Sequence, residues 1–323
     1  MKLLFVGDVM LGRLVNEVLK TEPPEYIFGD TLPIFKDADW RACNLECVLS
    51  DKGEPFSQKA FHFRSDAKNV KSLATAEINF ISLANNHSLD FGHEAMLDMI
   101  KILNKVRIDH AGAGRNYREA LKPAIMELPN REKIGVIAFT DNEPDWEAKE
   151  FQPGISYLPV DLEDERAEEM FDTIRETKKK VDILVVSAHW GPNWGDRPPG
   201  HHLPFGRGLI EAGADIVFGH SSHVFRGVEV YKGRPIIYGA GDFIDDYAVD
   251  PIARNDQSFI YVVEMEKNII KDMFLYPVLI RDFQARLARG EEARETVLKM
   301  KTLCLEFGVV IKWNLRENRL EIH

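Results

Sequence analysis

The chain has 323 residues, of which 45% are hydrophobic and 29% charged, so it is long enough to bury a sizeable core. Its formal net charge of −11 argues against nucleic acid and anionic membranes as partners, because phosphates would be repelled. No apolar run reaches the roughly 18 residues that span a bilayer, and the apolar start "MKLLFV" ends at Gly7. We therefore expect a cytoplasmic protein without a membrane anchor; its oligomeric state is open.

Apolar strands alternate with amphipathic helices along the chain. The predicted strands, in order, are "KLLFV", "DWRACNL", "INFISL", "KIGVIAF", "DILVVSA", "ADIVFG" and "RPIIYG". The predicted helices are "GRLVNEVLK", "DAKNVKSLATA", "GHEAMLDMIKILNKV" and the stretches 162–180 and 286–305. This alternation is typical of βαβ units in a sheet that helices cover on both faces, and it predicts the α/β class.

Two longer segments complete this organisation. The stretch 189–206, "HWGPNWGDRPPGHHLPFG", is predicted to be a loop, and loops of that length inside a compact domain are usually functional. It contains His201 and His202, two weaker candidates for a site. We expect residues 1–280 to form the main domain and 281–323 to add a helix and two short strands packed on it.

Polar side chains follow the carboxyl ends of six predicted strands, which is where open α/β sheets bind ligands. They are Asp8, Asn44 with Glu46, Asn85 to His87, His189, His220 with His223, and Asp242. Carboxylates, imidazoles and an amide oxygen form a mixed donor set that suits Mn, Fe or Zn. Two neighbouring metals also need a carboxylate that bridges them. The residues that supply such a centre are Asp8, Glu46, Asn86, His189, His220 and His223.

Each of these positions also has a simple structural interpretation. Asp8 is placed to cap the following helix, and Asp90 is placed to cap the next one. Asn86 is suited to a left-handed turn, and His189 alone would be a core histidine. Their shared register at strand ends favours the metal site.

The order of motifs resembles the CapA/PgsA family of capsule and poly-γ-glutamate biosynthesis, within the calcineurin-like metallophosphatase superfamily. The motifs are "VGDVMLGR" (6–13), "NLE" (44–46), "FHFRSD" (61–66), "ANNHSLDFG" (84–92), "SAHWG" (187–191) and the segment 211–243. The resemblance spans residues 1–280, and more weakly the tail. It implies a four-layer α/β/β/α sandwich with a dinuclear metal centre between strand ends and loops.

The resemblance also implies metal ligands. Glu46 resembles the bridging carboxylate, and the other matching ligands are Asp8, Asn86, His189, His220 and His223. Met10 stands where many metallophosphatases have a metal histidine, so one of the two divalent ions is expected to bind weakly. Relatives often carry an asparagine at the position of Asp242.

Further roles follow from the same resemblance. His87, oriented by Asp90, resembles a catalytic residue near the leaving group. Substrate contacts are expected from Arg13, Arg64, Arg226 and Asn193, since arginines bind anionic oxygens strongly.

Two functions are compatible with these features. The first is a metal-dependent hydrolase of the metallophosphoesterase type, acting on a phosphoester or a related anionic substrate, γ-glutamyl compounds included. The alternative is a non-catalytic protein whose metals organise a binding cleft for an anionic polymer and which assists capsule or poly-γ-glutamate synthesis.

Overall fold

The structure is a computed structural model that describes residues 1–323. Its strands are β1 (Lys2–Val9), β2 (Trp40–Leu45), β3 (Val48–Leu49), β4 (Arg64–Ser65), β5 (Phe80–Ser82), β6 (Asp109–Ala111), β7 (Ala113–Gly114), β8 (Ala124–Glu127), β9 (Lys133–Thr140), β10 (Gly154–Ile155), β11 (Ile183–His189), β12 (Ile216–His220), β13 (Val228–Tyr231), β14 (Arg234–Ile237), β15 (Asp242–Ile244), β16 (Gln257–Glu266), β17 (Ile269–Arg281), β18 (Gln284–Leu287), β19 (Lys312–Asn314) and β20 (Arg319–Ile322).

The α-helices are α1 (Arg13–Val18), α2 (Leu32–Lys36), α3 (Val70–Thr75), α4 (Gly92–Val106), α5 (Tyr117–Ala120), α6 (Glu165–Lys178), α7 (His202–Ala212) and α8 (Gly290–Leu305). Short 3₁₀-helices lie at Tyr26–Thr31, Ala67–Asn69 and Pro144–Trp146. None of the helices combines the length and the hydropathy that a membrane span requires.

Most strands belong to two sheets. The larger sheet has ten strands in the order β19-β20-β17-β16-β1-β2-β5-β6, with β15 beside β1 and β18 beside β17. The smaller sheet has six strands in the order β13-β14-β12-β11-β9-β8. The strands β1, β2, β5 and β6 are parallel, and so are β9, β11, β12 and β14. Parallel strands joined by helices are what the alternation of the sequence predicts.

Alternating side chains divide each central strand between two cores. In β1, Leu3 and Phe5 lie in the core between the sheets, whereas Leu4 and Val6 belong to the core under α3 and α4. The strand β11 divides in the same way, with its other face packed against α6 and α7. Helices therefore cover the outer face of each sheet. This arrangement confirms the predicted four-layer α/β/β/α sandwich.

Each predicted strand and helix has its counterpart, but two features differ from the expectation. The antiparallel pair β16–β17 was not predicted, although Lys267 and Asn268 in its turn adopt φ values of 48° and 61°, as a tight hairpin requires. The predicted loop 189–206 is wrong at its end, because α7 begins at His202. Pro204 lies in the first turn of that helix, where a missing N–H costs nothing.

The C-terminal segment shares the sheet and the core of the rest of the chain. The strand β20 pairs with β17, and Val297 and Met300 of α8 lie between the sheets. The division at residue 280 stays a prediction.

Candidate metal centre

Strand register brings the polar residues of different strands side by side. Asp8 in β1 is the register partner of Asn44 in β2 and of Asp242 in β15. In the other sheet, His189 in β11 is the register partner of His220 in β12. The two sets meet because the parallel strands of both sheets end at one edge of the sandwich.

The first group of possible ligands consists of Asp8, His189 and His220, whose donor atoms all lie within 4.8 Å of one another. All three side chains are buried. The two imidazoles approach at 2.9 Å between their Nδ1 atoms, and Oδ1 of Asn86 lies 3.0 Å from Nε2 of His189. Asn44 donates to Asp8 at 2.7 Å and thereby fixes its carboxylate.

The second group consists of Glu46, His223 and Asp242, again with donor atoms within 4.8 Å of one another. Oε2 of Glu46 and Oδ2 of Asp242 are buried and have no hydrogen-bond partner. Buried carboxylate oxygens without a donor are costly, and a bound cation would remove that cost. The donor set and these two oxygens therefore fit a divalent metal.

Burial and mutual repulsion disfavour ionisation of these carboxyl groups. Burial raises the pKa of Asp8 to about 7, and the nearby charge of Asp242 adds to this effect. The pKa of Glu46 is raised well above its ordinary value, first by burial and then by Asp8 and Asp242. A cation bound among them would reverse this tendency, since opposite charge favours the ionised form.

Two of the three imidazoles are kept in the neutral form, which is the form that binds metals. Burial lowers the pKa of His220 to about 3 and that of His189 well below its ordinary range. Burial acts in the same direction on His223, but the Asp242 carboxylate outweighs it and raises the pKa of this residue. Neutral imidazole is the ligating species, so His189 and His220 are ready to coordinate.

His87 lies beside this centre and is fixed from two sides. Its Nδ1 atom is 2.6 Å from Oδ2 of Asp90, and its Nε2 atom is 3.9 Å from Oε1 of Glu46. The ring of Phe63 stacks on the imidazole with 3.9 Å between centroids. Asp90 also accepts from the amide of Phe63 at 2.7 Å and from the ammonium of Lys59 at 2.9 Å. Burial lowers the pKa of His87 to about 4.

A cavity of about 530 Å³ opens next to His87. It has two cationic side chains, Arg13 and Lys59, and the aromatic side chains of Phe61 and Trp194 are largely exposed there. The remaining lining residues are Ala60, Phe63, Asn86, Asn193, His223, Tyr247, Ala248 and Asn255. The cavity therefore joins the candidate metal centre to a mixed cationic and aromatic surface.

The structure brings two of the four predicted substrate residues to this cavity. Arg13 lines it, with its guanidinium 5.6 Å from the centre of the Phe63 ring and 3.2 Å from Asp246. Asn193 also lines it, and its backbone carbonyl accepts from the amide of His223 at 2.8 Å.

The other two predicted substrate residues lie outside the cavity lining. Arg64 stacks on Phe91 with 4.3 Å to the ring centre. Arg226 is fully buried and donates to the carbonyls of Pro192 at 2.8 Å and Gly195 at 3.1 Å. It thus holds the loop that carries Asn193. This geometry supports a positioning role for Arg226.

The helix-capping and turn interpretations do not describe these positions, whereas His189 is fully buried, as a core histidine would be. Asp8 belongs to β1, and the N-cap of α1 is Gly12. Asp90 makes no capping bond to α4, whose N-cap is Phe91. Asn86 has no left-handed backbone. His201 and His202, the two weaker candidates, belong to neither ligand group.

Two residues of the site were missing from the predicted set. Asp242 follows "IIYGAG" after a predicted strand, which is the same sequence signal that identified the other ligands, although in the structure it is the first residue of β15. Lys59 lies in an irregular loop, and no sequence pattern connects it with Asp90.

Comparisons with known proteins agree with this architecture. A solved structure of a hypothetical protein from Thermus thermophilus superposes with a TM-score of 0.52 at 15% identity, covering 86% of this chain and 98% of that one, which supports the fold alone. The "PGA biosynthesis protein CapA" of Bacillus subtilis strain 168 is 32% identical over 320 residues, covering 98% of this chain and 80% of that protein.

Two further relatives are similar over most of their length. A "Probable polyglutamine synthesis accessory protein" of Mycobacterium tuberculosis strain H37Rv is 30% identical, covering 75% of this chain and 73% of that protein. The "Capsule biosynthesis protein CapA" of Bacillus anthracis is 27% identical, covering 98% of this chain and 76% of that protein. The family described as "Bacterial capsule synthesis protein PGA_cap" matches residues 2–247. The chain therefore belongs to the PGA_cap family of bacterial capsule synthesis proteins, as its motifs suggested.

Proposed function

We propose that this protein is a metal-dependent hydrolase of the metallophosphoesterase type, acting on a phosphoester or a related anionic substrate such as a γ-glutamyl compound. One observation carries the proposal: His87 lies between the buried ligand groups and a cavity with two cationic side chains. Ligands, a proton-handling group and anion-binding groups are the three parts that such a reaction needs.

The metal centre of the proposal contains two divalent ions, Mn, Fe or Zn. Asn86 would join the group of Asp8, His189 and His220, while Glu46 and His223 would hold the other ion. Ions bound in this way lower the pKa of water and neutralise charge that develops on a phosphoryl oxygen.

Arg13 and Lys59 would bind the anionic part of the substrate. Both line the cavity, in a chain whose net charge of −11 repels anions elsewhere. The side chain of Lys59 is 15% exposed, and its ammonium already contacts Asp90 and the backbone carbonyl of Asn86, so a bound anion would be a further partner. Charge-assisted hydrogen bonds of this kind are about twice as strong as neutral ones.

His87 would handle the proton at its Nε2 atom. In the free protein its imidazole is neutral, because burial lowers its pKa to about 4, and Nδ1–H donates to Asp90. Nε2, which lies 3.9 Å from Oε1 of Glu46, is then left to accept a proton beside the ligand groups. An anion beside it would favour the imidazolium, which is the form that protonates a leaving oxygen.

A second candidate function is binding without hydrolysis. The name of the Mycobacterium tuberculosis relative describes an accessory protein, and Phe61 and Trp194 expose 66% and 49% of their surface at the cavity. Aromatic faces beside cations fit an extended anionic chain held without reaction.

Turnover with Mn²⁺, Fe²⁺ or Zn²⁺ separates these two functions. The metal-loaded protein is offered nitrophenyl phosphomonoesters, a nitrophenyl phosphodiester and a γ-glutamyl nitroanilide, before and after chelation, with His87→Gln as the matched variant. The hydrolase proposal predicts turnover of at least one substrate that is lost on chelation. Metal binding together with affinity for an anionic polymer, and no turnover of any compound, favours the binding function.

A further inference from the structure

Two buried carboxylates lie next to each other on neighbouring parallel strands. Asp8 and Asp242 are register partners in β1 and β15, and each is 1% exposed. Like charges at neighbouring positions of a sheet destabilise it. No lysine or arginine nitrogen lies within 4.0 Å of either carboxylate; their basic neighbours are the imidazoles of His220, 3.7 Å from Asp8, and His223, 3.1 Å from Asp242. The pair therefore lacks a permanent positive charge.

The second ligand group contains two carboxylates that are short of hydrogen-bond donors. Glu46 and Asp242 each have one buried oxygen without a hydrogen-bond partner, and both lie in the group that His223 completes. Burying either oxygen without a hydrogen-bond partner costs free energy of folding. A divalent cation would satisfy both oxygens and the imidazole at once.

Met10 cannot supply a ligand to this place. Its side chain is fully buried in the core under the outer helices, and its sulfur accepts from the amide of Gly12 at 3.0 Å. Considered alone, Met10 predicts that this group binds its metal ion weakly. Asp242 reaches the same centre from the neighbouring strand and offers the donor that Met10 does not.

We propose that Asp242 is a metal ligand and that Glu46, His223 and Asp242 form an oxygen-rich site distinct from the imidazole-rich site of Asp8, His189 and His220. The inference rests on the metal centre of the proposed function but requires no hydrolysis. Carboxylate-rich sites suit Mn²⁺, whereas imidazole-rich sites suit Zn²⁺. The two positions therefore prefer different metals.

The test is titration of the metal-free protein with Mn²⁺ alone, followed by calorimetry and by thermal unfolding. Asp242→Asn keeps the shape of the side chain and removes one charge. We call the Mn²⁺ ion held by Glu46, His223 and Asp242 the second equivalent, whichever ion binds first; in this variant it should bind more than about 100-fold more weakly, because even groups outside the coordination shell contribute 10- to 100-fold. The metal-free variant should also melt at a higher temperature than wild type, since the repulsion from Asp8 is gone.

Two control variants accompany it. Asp245→Asn removes a buried carboxylate that directly follows β15 and belongs to neither ligand group; one of its oxygens accepts from the amide of Tyr247, and the other, like one oxygen of Asp242, has no hydrogen-bond partner. This variant should keep both Mn²⁺ equivalents. That result would show that removing a nearby negative charge does not by itself weaken metal binding. Asp242→Glu keeps the carboxylate and should retain the second equivalent with reduced affinity. Circular dichroism of each variant verifies that it folds.

The outcomes separate this inference from the proposed function. Two Mn²⁺ equivalents of unchanged affinity in Asp242→Asn would overturn the inference and leave the hydrolase untouched. A lower melting temperature of metal-free Asp242→Asn, with metal binding unaltered, would show that the residue is only a structural partner of His223. If Asp242→Asn loses the second equivalent while the wild type hydrolyses nothing, the inference holds and the hydrolase proposal fails. If the wild-type protein binds no metal, both the inference and the hydrolase proposal are wrong.

Discussion

Asp90 holds the imidazole of His87 through a 2.6 Å contact between Oδ2 and Nδ1. The same carboxylate accepts from the Phe63 amide and from Lys59, so its position is set by the loop that borders the cavity. The imidazole therefore keeps one orientation, with Nε2 directed away from Asp90. Because this contact fixes the imidazole, substitutions of His87 and Asp90 can test the role of His87.

His87→Gln should keep its metals and its substrate affinity but lose about 10²–10⁴ in kcat, the usual contribution of general acid–base catalysis. The loss should be smaller for nitrophenolate leaving groups, which need no proton. The measurement is kcat for a pair of substrates that differ only in leaving-group pKa. Asp90→Asn should show a smaller loss of the same kind. Equal losses for both leaving groups would contradict the proton-transfer role.

Glu46→Gln should reduce bound metal and activity together. Its carboxylate lies in the second ligand group and 3.9 Å from His87, so neutralising it removes a ligand of that group. Elemental mass spectrometry of the purified variant gives the metal content per chain. Unchanged metal content would show that Glu46 is not a ligand.

Arg13→Ala and Arg64→Ala form a matched pair that tests the cavity. Arg13 lines the cavity, whereas Arg64 stacks on Phe91 outside it, and both side chains are partly exposed. Arg13→Ala should raise KM and also lower the stability, because the buried carboxylate of Asp246 would keep the amide of Leu14, at 3.0 Å, as its remaining donor, and a buried polar group left without a partner costs about 1–3 kcal/mol. Arg64→Ala should leave KM unchanged. The reverse result would favour the anion contact that sequence resemblance assigns to Arg64.

Arg226→Met should affect the protein through the loop that Arg226 holds. Loss of the guanidinium leaves the carbonyls of Pro192 and Gly195 without their donor, and each unsatisfied buried group costs about 1–3 kcal/mol. We expect lower stability to urea together with a raised KM, because Asn193 and Trp194 lie on the same loop. A raised KM with unchanged stability would instead indicate direct contact with substrate.

The sandwich and most of the metal ligands could be predicted because both depend on local pattern. A short continuous apolar run defines a buried strand such as β11, and parallel register brings the polar residues that follow such strands to the common edge. Asp242 carried that signal without being assigned as a ligand. Lys59 and the buried state of Arg226 could not be predicted, since irregular loops and long-range packing place them. For the hairpin β16–β17, the only local indication is its turn, where Lys267 and Asn268 adopt positive φ values.

The most direct test of the account is the metal content of the wild-type protein, measured with its turnover of the nitrophenyl esters and the γ-glutamyl nitroanilide on one sample before and after chelation. The account predicts two metal equivalents per chain and hydrolysis of at least one of these substrates, both lost on chelation and both restored by Mn²⁺ or Zn²⁺. A protein that binds no metal, or whose turnover is the same after the metals are removed, would contradict it.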